Sequence, residues 1–132
     1  MFHTPDYRNG PRMLVVDDDP MIRELLTTRL SIAGYDAHHA RDGFEGLNRL
    51  SELKPAGMIL DINMPGLDGF DVLQTLRTTG RTSSVRIMVL TARNQSTDVQ
   101  KAIGLGARDY LSKPFNDAQF LSRVTRLMRG AW

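Results

Sequence analysis

Apolar runs of strand length alternate along this chain with stretches of helical spacing. Met13 to Val16 is a short apolar run, and Pro20 then opens a stretch in which Ile22, Leu25, Leu26, Arg29, Leu30 and Ala33 follow helical spacing until Gly34 stops it. Tyr35 to Ala40 reads as a strand, placed at a sheet edge by the polar His38-His39 pair. Asp42 is positioned to cap a second helix carrying Phe44, Leu47, Leu50 and Leu53, which Pro55 ends. Gly57-Met58-Ile59-Leu60 forms a third strand that runs into Asp61. Asp68 caps a helix with Phe70, Val72, Leu73 and Leu76, and a polar loop from Thr78 to Ser84 follows. Arg86 to Leu90 is apolar after its first residue, as expected of a strand covered on both faces. A more polar helix from about Ser96 to Leu105 carries Val99, Ala102 and Ile103 and is expected to be the least firmly held. Arg108 to Leu111 is a fifth strand, and Asp117 to Met128 a fifth helix that turns Phe120, Leu121, Val124 and Leu127 to the sheet, with Gly130 as its stop. Five strand-helix units of this length predict an α/β fold, an open parallel sheet with helices on both faces. Residues 1–11, with Pro5 and Asn9-Gly10-Pro11, read as a flexible extension, and residues 130–132 as a short tail.

Composition narrows the function classes. At 132 residues and 41% hydrophobic, the chain builds one core and is too short for two ordinary domains. A formal net charge of +2 reflects a small arginine excess and predicts no direct nucleic-acid binding. The absence of Cys removes disulfides, thiolate metal sites and cysteine nucleophiles together. No apolar stretch approaches the ~20 residues that cross a bilayer, and Met1-Phe2-His3-Thr4-Pro5 lacks the regions of a signal peptide. A cytoplasmic location without membrane contact is the expectation.

Four stretches carry the candidate chemistry, and each follows a strand: Asp17-Asp18-Asp19-Pro20, Asp61-Ile62-Asn63-Met64-Pro65, Leu90-Thr91-Ala92 and Ser112-Lys113-Pro114-Phe115. Open parallel sheets present ligands at the carboxyl ends of their strands. If the first and third strands are neighbours, Asp17, Asp18 and Asp61 converge and repel by ~4 kcal/mol per unit-charge pair at about 4 Å and an effective dielectric near 20. A hard divalent cation relieves that repulsion. Mg²⁺ suits a site of few carboxylates because it keeps several waters and completes its shell with phosphate oxygens, whereas no calcium-loop spacing is present. Helix capping is the competing role for the acidic triplet, but one acid suffices for it, and Asp19 takes that role. Asp61, at the mouth of an apolar sheet, needs donors or a cation. Lys113 supplies a flexible cation able to pair with Asp61, and Pro114 restricts the backbone before it and offers a cis bond to aim the side chain. Thr91 offers a hydroxyl to a phosphoryl oxygen, and Ala92 beside it leaves room for an incoming group.

With these motifs in this order, the chain resembles the receiver domain of bacterial two-component response regulators, of which the single-domain chemotaxis type is the simplest. The resemblance covers about residues 12–129, and the steps of 30 residues from Asp61 to Thr91 and 52 from Asp61 to Lys113 match the family's spacing. It implies a flavodoxin-like, doubly wound five-stranded parallel sheet of strand order 2-1-3-4-5. It further implies that Asp61 accepts a phosphoryl group from a sensor histidine kinase or histidine phosphotransfer protein. By the same resemblance Asp18 and Asp61 contact Mg²⁺ directly, Asp17 acts through water and the Asn63 carbonyl supplies a further ligand. Thr91 and Lys113 match the family's hydroxyl and lysine, and Tyr110 its switch aromatic. Asn63 and Arg93 are placed to influence water access. The family's fourth helix, fifth strand and fifth helix form the face that changes and meets a downstream partner, a fused effector or a second copy.

Other features stay outside that picture. Arg123, Arg126 and Arg129 make a basic stripe, read first as a solvated helix face. His38 and His39 read as surface residues, and the methionines as packing residues. The competing functions are a small Mg²⁺-dependent phosphatase and an unphosphorylated protein-binding domain. A flavodoxin-like cofactor binder fits less well, since acids stand where a phosphate loop would follow the first strand. Sequence alone does not separate a stand-alone regulator from a piece of a longer one.

Overall fold

A computed structural model describes residues 10–92 and 95–129. Five strands, β1 (Arg12–Val16), β2 (Asp36–Ala40), β3 (Gly57–Asp61), β4 (Arg86–Thr91) and β5 (Asp109–Ser112), alternate with five helices, α1 (Pro20–Ile32), α2 (Gly43–Leu53), α3 (Gly69–Thr78), α4 (Ser96–Gly104) and α5 (Asp117–Leu127). The strands form one sheet of order β2-β1-β3-β4-β5, and every pairing is parallel. β1 and β3 are thus neighbours, which brings the ends of their chains side by side. The pairing of β1 with β2 starts early, because the Asp36 amide donates to the Pro11 carbonyl at 3.0 Å.

Side chains alternate between the two faces of each strand, and the core divides accordingly. Leu14, Val16, Met58, Leu60, Ile87 and Val89 point to the face covered by α2, α3 and α4. Met13, Val15, Ile59, Met88 and Leu90 point to the opposite face, where Leu26 and Leu30 of α1 and Phe120, Val124 and Leu127 of α5 cover them. The continuous apolar character of β1, β3 and β4 follows, since neither face of these strands meets water.

Helix starts obey the capping residues. Asp19, Asp42 and Asp68 each accept a backbone N–H at the start of α1, α2 and α3. At α3 the cap is reciprocal: Asp68 accepts from the Asp71 amide at 2.9 Å and Asp71 accepts from the Asp68 amide at 3.1 Å. Asp68→Ala is expected to lower stability by about 1 kcal/mol, read as a shift in the urea midpoint at unchanged slope.

Several expectations shift. β5 begins at Asp109 and ends at Ser112, one residue later than its apolar pattern suggested, because pairing to β4 sets its ends. Phe44 is 61% and Ile103 45% exposed, so neither contributes to the core as its helical spacing implied. Met21 is 79% exposed, an exception to the packing role read for the methionines, whereas Met13, Met58, Met64, Met88 and Met128 are buried. α4 buries only Ala102, and its N-cap Gln95 makes no side-chain cap. The proposed stop at Gly130 lies outside the described residues. Among the described residues, no helix is long and apolar enough to cross a membrane.

Candidate functional site

Strand order alone gathers the chemistry. β1 ends at Val16, so Asp17 leaves the sheet beside β3, whose last residue is Asp61. Asp61 stands in register with Leu90 of β4, and Thr91 with Ser112 of β5. Lys113 follows β5, and its amide donates to the Thr91 carbonyl at 2.9 Å, which ties its loop to the end of β4. The Lys113-Pro114 peptide is cis.

Within this pocket Lys113 bridges two carboxylates. Its Nζ donates to Asp17 Oδ2 at 3.1 Å and lies 3.5 Å from Asp61 Oδ2. The lysine was expected to pair with Asp61, and its shorter contact is to Asp17. Asp17 is fixed further by the Asp19 amide, which donates to Oδ1 at 2.9 Å. Asp61 Oδ1 accepts the Asn63 amide at 3.3 Å. Asp17, Asp61 and Thr91 are buried at 1%, 3% and 2% exposure, in a sheet otherwise apolar there. Asp18 is exposed, and one carboxylate oxygen from each of Asp17, Asp18 and Asp61 lies within 4.8 Å of the others.

Electrostatics follow from that crowding. Burial, then the neighbouring Asp17 charge, push the Asp61 carboxyl up from 3.8 to about 6 against the opposing pull of Lys113 and the Asn63 amide. Burial pulls the Lys113 ammonium down, but Asp61 and Asp17 outweigh it and raise its pKa above the ordinary value. The lysine is therefore charged at neutral pH. One ammonium facing three carboxylates leaves net negative charge, and an all-oxygen donor set fits a hard divalent ion of the Mg²⁺ class.

The loop after Asp61 is shaped by close packing. The Gly69 amide donates to the Ile62 carbonyl at 2.9 Å, and a Cβ on Gly69 would stand 2.5 Å from the Asp61 carbonyl oxygen and 2.7 Å from Ile62 Cα. Only glycine lets α3 begin against this backbone. Asn63 is exposed beside the pocket, and Arg93 lies outside the described residues. Tyr110 is half-buried and shares with Thr91, Ile62, Val89 and Ala102 a residual cavity of about 10 Å³.

Several contacts escaped the sequence reading. Arg23 donates to the Asp17 carbonyl at 2.8 Å, one helical turn into α1. Arg126 and Arg129 are exposed, as a solvated stripe predicts, but the stripe is also tied down: Arg123 and Arg126 grip Asp109 at 2.8 and 2.6 Å, and Arg123 donates to the Tyr110 carbonyl at 3.1 Å. Asp109 was the visible signal, an acid beside the one aromatic of interest. His38 is half-buried rather than at the surface, with Nε2 3.0 Å from Asp36 Oδ1, the same-face neighbour two residues back on β2. α4 gains two ties from α3: Arg77 donates to the Gly104 carbonyl at 2.6 Å, and Lys101 Nζ sits 4.3 Å from the Phe70 ring centroid. Arg77→Ala is expected to speed amide hydrogen exchange in α4 selectively, with global stability within about 1 kcal/mol of the parent.

Comparisons with known proteins agree with this geometry. The family model described as the response regulator receiver domain matches residues 13–125. The chain is 42% identical over 119 residues to the DNA-binding dual master transcriptional regulator RpaA of Synechocystis sp., covering 90% of this chain and 49% of that protein. It is 42% identical over 118 residues to the response regulator MprA of Mycobacterium avium, covering 89% of this chain and 51% of that one. The chain therefore spans about half the length of these curated relatives. Among solved structures, Vibrio cholerae chemotaxis protein CheY4 superposes with a TM-score of 0.84 at 30% identity, over 89% of this chain and 98% of that one. The Francisella response regulator 1452 receiver domain superposes with a TM-score of 0.85 at 29% identity, over 93% of this chain and 100% of that one.

Proposed function

The chain belongs to the response regulator receiver domain family, whose members are phosphorylation-dependent signalling switches, and on that premise we propose that Asp61 is its phosphoacceptor. The observation that carries the proposal is the convergence of buried Asp61 with Lys113 and the Asp17-Asp18 pair in one pocket at the strand ends. A carboxylate oxygen of Asp61 attacks phosphorus in line, and the bond from phosphorus to the donor nitrogen or oxygen breaks with its electron pair leaving on the donor. The product is an acyl phosphate. Lys113, charged and 3.5 Å from Asp61 Oδ2, is in reach of a phosphoryl oxygen once the group is transferred. Asp17, Asp18, Asp61 and the Asn63 carbonyl would hold Mg²⁺, which neutralises charge on the transferring group. Thr91 supplies a hydroxyl donor to a second phosphoryl oxygen.

The switch reading uses the space beside Thr91. Moving Thr91 toward a phosphoryl group vacates room against Tyr110, which lines the same cavity. Tyr110 follows inward, and the surface of α4, β5 and α5 changes, including the Arg123 contact to the Tyr110 carbonyl. A kinase or histidine phosphotransfer protein is the phosphoryl source, and a protein partner, a fused effector or a second copy reads the altered face. The domain proper occupies residues 12–129, and its place of action is the cytoplasm.

Intact-protein mass after incubation with Mg²⁺ and a small acyl phosphate tests the proposal. One phosphoryl group per chain that persists for minutes and needs Mg²⁺ is the expected result. Rapid donor turnover with no adduct would instead indicate a phosphatase, and no reaction at all a protein-binding domain.

A further inference from the structure

At the end of the sheet opposite the aspartates, the last turns of α2 and α3 and the approach to β4 form a half-open cavity of about 430 Å³. That volume falls in the range of small-molecule sites, ~300–1,000 Å³. Its floor is apolar: Leu50, Leu76 and Val85 line it and are 2%, 0% and 4% exposed. Its walls are cationic. Exposed Lys54 and half-buried Arg81 line it, and neither side chain has an ion pair or hydrogen bond among the described residues.

Two local features set the backbone that carries those cations. Lys54 is the C-cap of α2 in the left-handed region, φ 46° and ψ 58°, where glycine or asparagine carries the least strain. A lysine there costs ~1 kcal/mol of backbone energy, and among the described residues no hydrogen bond or ion pair of its side chain offsets that cost. On the other wall, the Ser84 hydroxyl donates to the Arg81 carbonyl at 2.8 Å and closes the turn that carries Arg81.

We propose that this cavity binds a small organic anion, a carboxylate or phosphate group on an apolar body about the size of one ring. The two unpaired cations take the charged group, and the Leu50, Leu76 and Val85 floor takes the body. An inorganic ion would use the first feature only. The proposal stands independently of Asp61, from which the cavity is separated by the length of β3, about 13 Å for a rise of ~3.3 Å per residue.

Backbone amide NMR titration of the metal-free protein tests it, with phenylphosphonate, whose P–C bond transfers no phosphoryl group, with phenylacetate, and with inorganic phosphate. Saturable shifts at the Lys54, Ser84 and Val85 amides, at least tenfold tighter for an aromatic anion than for inorganic phosphate, are expected. The tighter of the two aromatic anions identifies the charged group. Lys54→Gly, which suits the backbone and so folds, and Arg81→Gln should each weaken binding threefold or more. Shifts confined to the Asp61 and Thr91 amides, shifts that never saturate, equal binding of inorganic phosphate, or affinity unchanged in both variants would each overturn the proposal.

Discussion

Asp61→Asn is expected to take up no phosphoryl group and, without metal, to be more stable than the parent at pH 7. The first effect follows from chemistry, because an amide oxygen cannot form the acyl phosphate. The second follows from linkage. Asp61 titrates at about 6 in the fold against an ordinary 3.8, so between these values the folded protein binds more protons than the unfolded chain. Stability therefore falls as pH rises through that window, and above pH 6 the whole cost of the buried charge is present. Two pKa units correspond to about 3 kcal/mol as an upper bound. The asparagine escapes this cost, and its carbonyl can still accept the Asn63 amide. Urea denaturation of both proteins in chelator should show an advantage of about 1–3 kcal/mol at pH 7 that fades toward pH 4. An advantage constant with pH would mean that the gain comes from packing and not from the charge.

Lys113→Met is expected to slow phosphorylation by about 100-fold while tightening Mg²⁺ binding by about tenfold or more. The two effects have opposite signs because the ammonium competes with a metal for the same carboxylates but assists the transferring group. Its Nζ lies 3.1 Å from Asp17 Oδ2 and 3.5 Å from Asp61 Oδ2, so its removal leaves two buried carboxylates facing each other. Each unit charge near 4 Å is worth ~4 kcal/mol at an effective dielectric of 20, ample for a tenfold gain in cation affinity. On the kinetic side, loss of one preorganised donor to developing charge typically costs ~10²–10³ in rate. The metal-free variant should also lose about 1–3 kcal/mol of stability, less than a fully buried pair because the lysine side chain is 24% exposed. Calorimetric titration with Mg²⁺ and single-turnover phosphorylation check both signs. Weaker Mg²⁺ binding would show that the lysine organises the site rather than competing for it.

Much of this was legible in the sequence for identifiable reasons. β1, β3 and β4 announce themselves because strands covered on both faces must be apolar throughout, and Asp17, Asp61 and Thr91 stand out as the first polar residues after those runs. The caps Asp19, Asp42 and Asp68 were legible because a carboxylate before a helix has one obvious use. Less could be read where tertiary contacts decide. The side chains of Phe44 and Ile103 sit at helical spacing, yet periodicity does not say where a neighbouring helix ends and water begins. The grip of Arg123 and Arg126 on Asp109 joins groups up to 17 residues apart on different elements, and a single sequence shows the acid and the cations without saying that they meet. Lys113 presented the same difficulty in milder form, for its partner Asp17 lies 96 residues away. The family resemblance supplied the strand order that local pattern could not, and the parallel register of β1 with both β2 and β3 then explains why the two acidic stretches meet.

The most direct test of Asp61 as phosphoacceptor is borohydride trapping of the phosphorylated chain followed by peptide mass mapping. Hydride reduces an acyl phosphate to an alcohol as phosphate leaves, so homoserine at position 61, with Asp17, Asp18 and the histidines unmodified, is the predicted result. Homoserine at another aspartate, or a phosphoryl group that survives reduction on a different side chain, would contradict the account.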